Sequence, residues 1–308
     1  MPALPPLKPI KTILCAIDLS DISTHVLGLA AEFAEACDAK LMVLHVVEIW
    51  DKRYDFIVAE IGKRIEVEAY GKVQTELDRL GKSKGVPVEV VVQKGQAIET
   101  IQDAIKKLQP DLVVMGSHGR RGMDNILLGS VAERILRVSP VSVLVVRPPK
   151  NPDIYTLLCA VDLSDCSRTA LERAIELAKQ DKVASLKVLH VFEVPIGYLE
   201  AGMSYETALI KTRDIHQREF DAFLEQYKTC GVKLEPVLEE GAPASLVVKY
   251  AENIKADLLV IGAHGKSRLT AMLIGGISTK IVHRSTVPVL AVKAPEHFES
   301  LWQALEKL

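Results

Sequence analysis

Four glycines, Gly116, Gly119, Gly122 and Gly129, fall within fourteen residues. They lie between an apolar run, Asp111-Leu112-Val113-Val114, and a helix-like stretch, Val131-Ala132-Glu133-Arg134-Ile135-Leu136. A buried strand, a glycine loop and a helix start, in that order, can make a seat for an anion. Bare backbone N–H groups come close to a phosphate, and the positive end of the helix dipole points the same way. Glycine costs roughly 0.5–1 kcal/mol relative to alanine in regular structure. Its concentration here therefore implies positive φ angles or close approach by a ligand. A plain turn accounts for the same spacing, so the glycines alone leave both readings open.

The stretch occurs twice. Met115-Gly116-Ser117-His118-Gly119, nine residues and Gly129-Ser130-Val131 return as Ile261-Gly262-Ala263-His264-Gly265, nine residues and Gly275-Gly276-Ile277. Ile13-Leu14-Cys15-Ala16-Ile17-Asp18-Leu19-Ser20-Asp21 returns as Leu157-Leu158-Cys159-Ala160-Val161-Asp162-Leu163-Ser164-Asp165. Val43-Leu44-His45-Val46 returns as Val188-Leu189-His190-Val191. The offset is 144 residues at the first landmark and 146 at the glycine loops. Copies of that length are whole domains, not solenoid units.

The elements that must position these residues follow from periodicity. Residues 12–17 read as a strand ending at Asp18, with Ser20 available to cap the next helix, whose stripe is Ile22, Val26, Leu29, Ala30, Phe33 and Cys37. Residues 41–47 read as a second strand. Ile57, Ile61, Ile65, Ala69, Val73 and Leu77 then recur every four residues, which predicts one long helix with that face on the sheet. Residues 86–92 read as a strand, 97–108 as a helix stopped by Pro110, and 141–146 as a fifth strand. The second copy predicts strands near 156–161, 185–192, 232–238, 257–261 and 287–292, and a long helix between about 203 and 229. Strand–helix alternation of this kind predicts an α/β fold: two tandem, open, five-stranded parallel sheets with helices on both faces.

The domain boundaries drawn from this are 1–147 for the first copy, 148–154 for a proline-rich linker and 155–294 for the second. A C-terminal helix, 295–308, has no counterpart, and its stripe Phe298, Leu301, Trp302 and Leu305 predicts docking on a domain surface. The last strands of the two copies are apolar and would lie at sheet edges, which invites pairing. Their pairing with each other would make the chain an intramolecular pseudo-dimer with pseudo-two-fold symmetry.

Bulk composition narrows the function. The chain has 308 residues and a formal net charge of −2, which gives no electrostatic case for nucleic acid or an anionic membrane surface as partner. Apolar runs of four to seven residues are strand-length, far below the roughly 20 a bilayer needs. The proline-rich start, Met1 to Lys8, reads as a lead-in rather than a signal peptide. Five cysteines without a CxxC pair predict reduced thiols in a cytoplasmic protein, with Cys15 and Cys159 inside strands and Cys166 and Cys230 exposed. No metal site and no catalytic residues are read from the sequence. His118 and His264 have no nucleophile or carboxylate beside them and read as structural.

With these landmarks the chain resembles the universal stress protein family, in its tandem form, from about residue 10 to 294. The family's ATP-binding pattern is Gly-x2-Gly-x9-Gly-(Ser/Thr), and Gly116, Gly119, Gly129 and Ser130 satisfy it. The Ala16-Ile17-Asp18 and Leu44-His45-Val46 segments are also family-like. The resemblance implies an adenine nucleotide alpha hydrolase-like fold with flavodoxin-like layering. It implies that Ala16 and Asp18 lie by the nucleoside, that Val46 offers backbone to adenine, and that Met115 and Gly116 line the base and ribose. Gly119, Arg120, Gly129, Ser130 and Val131 would hold the phosphates. ATP, or ADP or AMP, with or without Mg, is the implied ligand. Two ligand-free alternatives stand beside this: Asp18 as the cap of a turn, and Ser130 with Glu133 as a capping box.

The second copy departs from the pattern at its last position. Gly276 stands where Ser or Thr is expected, which removes one hydroxyl contact. Its equivalents are Ala160, Asp162, Val191, Ile261, Gly262, Gly265, Gly275 and Gly276, and the first copy is expected to be the better site. A nucleotide-binding regulatory or stress-response protein is therefore the leading expectation. There is no Gly-x4-Gly-Lys-(Ser/Thr) loop and no paired acidic Mg site, so ATP hydrolysis is expected to be slow at most. A nucleotide-free scaffold is the other reading. Association of pseudo-dimers into a larger homo-oligomer is left open.

Overall fold

The computed structural model describes residues 7–48, 55–79, 85–119, 128–148, 156–179, 185–264 and 275–293. The chain divides into two compact units. The first, running from the N-terminus to Pro149, contains β1 (Thr12–Ile17), α1 (Ile22–Cys37), β2 (Lys40–Val47), α2 (Asp55–Arg79), β3 (Val88–Lys94), α3 (Ala97–Leu108), β4 (Leu112–Gly116), α4 (Ser130–Val138) and β5 (Ser142–Val146). The second contains β6 (Thr156–Val161), α5 (Asp165–Ala178), β7 (Ser185–Phe192), α6 (Tyr205–Glu225), β8 (Leu234–Glu240), α7 (Pro243–Asn253), β9 (Leu258–Gly262), α8 (Gly276–Arg284) and β10 (Val289–Val292).

Within the first unit the strand order is β3-β2-β1-β4-β5, and within the second it is β8-β7-β6-β9-β10. All the pairings within each unit are parallel. Ile13, Leu14, Cys15, Leu112, Val113 and Val114 are all at most 1% exposed. Successive strand residues point to opposite faces, so burial of every one means that both faces of the central strands are covered. The order reverses between β1 and β4. Strands β2 and β3 build out on one side of β1, while β4 and β5 build out on the other. The crevice beyond the C-terminal ends of β1 and β4 is thus the topological switch point, where open α/β sheets bind ligands.

Two repeated side chains fix the register around that crevice. His45 on β2 hydrogen-bonds through Nδ1 to the carbonyl of Ile17 at 2.9 Å, and His190 on β7 does the same to Val161. At the opposite strand ends, Asp111 accepts from the backbone N–H groups of Lys11 and Thr12, and Asp257 accepts from Thr156.

Several local expectations are corrected. Ser20 does not cap α1; the cap position is Asp21, without a side-chain bond, because the turn at Leu19 aims Ser20 back at Asp18. Ile61 of the long-helix stripe is 38% exposed, and the side chains of Ile57, Ile65, Ala69, Val73 and Leu77 lie outside the described residues. Cys166 is buried, not exposed: it fits against the backbone of β9. Cys230 is half-buried and all five cysteines are free thiols. The proposed C-terminal helix and Gly122 fall outside the described residues.

Candidate functional site

A cavity of about 990 Å³ opens at the switch point of the first unit. The end of β1 supplies Ala16, Ile17 and Asp18; β2 supplies Leu44, His45 and Val46; β4 supplies Met115 and Gly116. The loop beyond β4 adds Ser117, His118 and Gly119, and the start of α4 adds Gly129, Ser130 and Val131. Every first-copy residue that the resemblance assigns to the nucleotide therefore lines one cavity, except Arg120, which lies outside the described residues. The volume is in the range of pockets that take a nucleotide-sized ligand.

Asp18 organises the floor. Its Oδ1 accepts from the Ser20 backbone N–H at 3.0 Å, from the Ser20 hydroxyl and from the Ser23 hydroxyl at 3.1 Å. One carboxylate oxygen thus closes a turn, as the ligand-free reading had it. The other, Oδ2, faces the glycine loop: a Cβ added at Gly119 would stand 2.7 Å from it. The glycine is there because the Asp18 carboxylate leaves no room for a side chain. Positive φ is not the reason at the described loop glycines, since among the described residues the glycines with positive φ are Gly95, Gly202, Gly231 and Gly241. Strain falls instead on Leu19, at φ 61, and on its counterpart Leu163, at φ 65. A left-handed leucine costs on the order of 1 kcal/mol or more and concentrates at functional turns. Sequence gave no warning of it.

The helix start is open. Gly129 occupies the cap position of α4 at φ −68, with no side-chain cap bond, and Ser130 is the first helical residue. The capping box expected of Ser130 and Glu133 does not form, because a box needs its serine at the cap and the helix begins one residue earlier, with Gly129 in that place. The Gly129 N–H is tied to the Ser117 carbonyl at 2.7 Å, which fixes the loop against the helix. A second helix start borders the same cavity: Glu48 accepts from the backbone N–H of Ala97 at 3.2 Å and satisfies one donor of the first turn of α3.

The second unit repeats the frame and alters the lining. Asp162 accepts from Ser164, as Asp18 does from Ser20. Ser167, however, turns its hydroxyl to the Ser164 carbonyl, where Ser23 reaches the aspartate. Ala160, Val191, Ile261, Gly262, Gly275 and Gly276 occupy the corresponding strand ends and helix start, with Gly265 outside the described residues. A Cβ added at Gly276 meets nothing within 4 Å. Ser278 in the first turn of α8 donates to the carbonyl of Gly262 at 2.8 Å. The hydroxyl missing at 276 thus has a neighbour two residues on that is bonded inward, to protein. Gly262 is pressed against Cys166, whose backbone lies 3.1 Å from an added Cβ. His190 also hydrogen-bonds His216 of α6 at 3.0 Å, and Phe192 stacks on that ring.

A family model described as the universal stress protein family matches residues 9–147 and again 155–293. The chain belongs to the universal stress protein family. It carries two such domains in tandem. A universal stress protein of Mycolicibacterium smegmatis is 28% identical over 291 residues, which is 91% of this chain and 96% of that protein. A single-domain relative, YxiE of Bacillus subtilis, is 33% identical over 145 residues and matches 44% of this chain and 97% of its own length. Among solved structures, a universal stress protein from Archaeoglobus fulgidus superposes with a TM-score of 0.65 at 24% identity, over 92% of this chain and 96% of that one. A functionally unknown protein of Pseudomonas aeruginosa gives 0.69 at 18% identity, over 97% and 98%. These two likenesses concern the fold. Among the described residues no helix is long and apolar enough to cross a membrane, and no group of three or more metal-ligating side chains is present.

Proposed function

We propose that the first unit binds an adenine nucleotide, ATP foremost and ADP or AMP by the same contacts, in a cytoplasmic stress-response or regulatory role. One observation carries the reading. The glycine pattern, the Asp18 carboxylate and the uncapped start of α4 meet in one cavity at the switch point. Backbone amides at 130 and 131 and the Ser130 hydroxyl suit a phosphate chain, which the α4 dipole favours. The apolar wall of Ala16, Leu44, Val46 and Met115 suits a flat base. The Asp18 carboxylate is an acceptor and suits a ribose hydroxyl.

The test is thermal unfolding with and without millimolar Mg-ATP. A ligand at 100 times its dissociation constant stabilises by about 2.7 kcal/mol. The expected outcome is a rise in melting temperature, lost in Gly129→Leu, with little ADP released over the measurement. Rapid ADP release would turn the reading to an ATPase. An unchanged melting temperature in the wild type would favour a nucleotide-free scaffold.

A further inference from the structure

We propose that the Ser117 hydroxyl locks the His118 imidazole in the tautomer with its proton on Nε2, making the ring a hydrogen-bond donor to the anionic end of the ligand. The proposal rests on the nucleotide reading above and assigns a role to two residues that the glycine pattern passes over.

Ser117 Oγ lies 2.9 Å from His118 Nδ1. Either atom could donate to the other, and burial decides between them. Ser117 is 0% exposed. Its backbone N–H donates to Val146 and its carbonyl accepts from Gly129, so its backbone is committed. Among the described residues, His118 Nδ1 is the one partner of its hydroxyl. If Nδ1 carried the proton, the serine O–H would have no acceptor among the described residues, and Ser117 itself is out of reach of solvent. Buried donors are very rarely left in that state. The hydroxyl therefore donates, Nδ1 accepts, and a neutral ring must hold its proton on Nε2. That nitrogen belongs to a side chain that lines the cavity beside Gly119, Gly129 and Ser130.

The second unit provides an internal contrast. Ala263 occupies the place of Ser117 and has no hydroxyl, so His264 has no such lock. It also shows that alanine fits this position, since Ala263 is 0% exposed in the same loop geometry: Gly275 donates to its carbonyl as Gly129 does to that of Ser117.

The tautomer is read in the ligand-free protein, independently of any nucleotide, by long-range proton–nitrogen NMR of the imidazole nitrogens at a pH where the ring is neutral. The expected spectrum has a protonated Nε2 and a bare Nδ1 at His118, with that preference reduced in Ser117→Ala. Calorimetric titration with ATP and with adenosine follows. His118→Ala should weaken ATP about tenfold or more and leave adenosine within about twofold, because the donor meets only the phosphates. His118→Gln, whose amide nitrogen reaches the Nε2 position, should recover most of that loss. Ser117→Ala should weaken ATP by about threefold to tenfold, since the ring must then be ordered on binding. A spectrum with the proton on Nδ1 overturns the lock. So does equal loss of ATP and adenosine in His118→Ala. Should Gly129→Leu abolish binding while both His118 variants bind ATP like wild type, the nucleotide reading stands and this inference falls.

Discussion

Replacing Gly119 with alanine tests the central geometry of the site without touching a ligand. The added Cβ would stand 2.7 Å from Asp18 Oδ2 and 3.6 Å from its Cγ. Ordinary contact needs roughly 3.4 Å or more, so the pair must open by about 0.7 Å. A carboxylate at the tip of a free side chain would swing away at little cost. This one is held by three hydrogen bonds to its other oxygen, from Ser20 and Ser23. Hydrogen bonds to a charged acceptor are each worth about 1.5–3 kcal/mol. Weakening one of them to make room puts the cost of Gly119→Ala near 1–3 kcal/mol. A double-mutant cycle isolates the cause. In an Asp18→Ala background the same substitution has no carboxylate to meet, and its cost should fall to under about 0.5 kcal/mol, a coupling of about 0.5–3 kcal/mol. Denaturant titration of the four proteins measures it. If Gly119→Ala costs the same with and without the Asp18 side chain, the account of why glycine stands there is wrong.

Other perturbations probe independent features. Lys293 is buried, and desolvation lowers its ammonium to about 8 in the folded chain. The folded state then gives up this proton before the unfolded state does. Stability should rise as pH climbs from about 8 to 10.5, by on the order of 3 kcal/mol at most, and Lys293→Met should flatten that rise. Ser164 caps α5 by accepting from the Ser167 N–H at 3.2 Å, so Ser164→Ala should cost about 1 kcal/mol in chemical denaturation. Burial pushes the Cys15 and Cys159 thiols well above the usual range. A thiol reagent should therefore modify Cys37 and Cys230 in the native protein at least tenfold faster than Cys15, Cys159 and the buried Cys166.

Much of the frame is legible in the sequence, because it rests on local patterns. The strand at Thr12–Ile17 is bounded by its own apolar run, and the helix at Ala97–Leu108 by its stripe and Pro110. The convergence of residues 16–18, 46, 115–119 and 129–131 follows from strand–helix alternation alone, since parallel strands gather their C-terminal ends on one side. What the sequence hides is contact between distant residues. Gly119 reads as a residue of left-handed backbone or of ligand approach, and it proves to be a residue that makes room for Asp18, a hundred positions earlier. Ser20 reads as a helix cap because its neighbours fit, yet the left-handed turn at Leu19 redirects it. Cys166 reads as exposed beside charged residues, yet its helix position faces the backbone of Gly262. Ser278 carries no signal at all until the carbonyl it reaches is seen.

The Ser278 bond also bears on how the protein should respond to the nucleotide proposed for it. On the proposed nucleotide reading, the Ser278 hydroxyl drawn into a strap across its own strand end leaves the second unit the poorer site of the two. Titration should then saturate along a simple hyperbola at one equivalent per chain, graded with nucleotide level. A steep, sigmoidal threshold would require the twin halves to answer together.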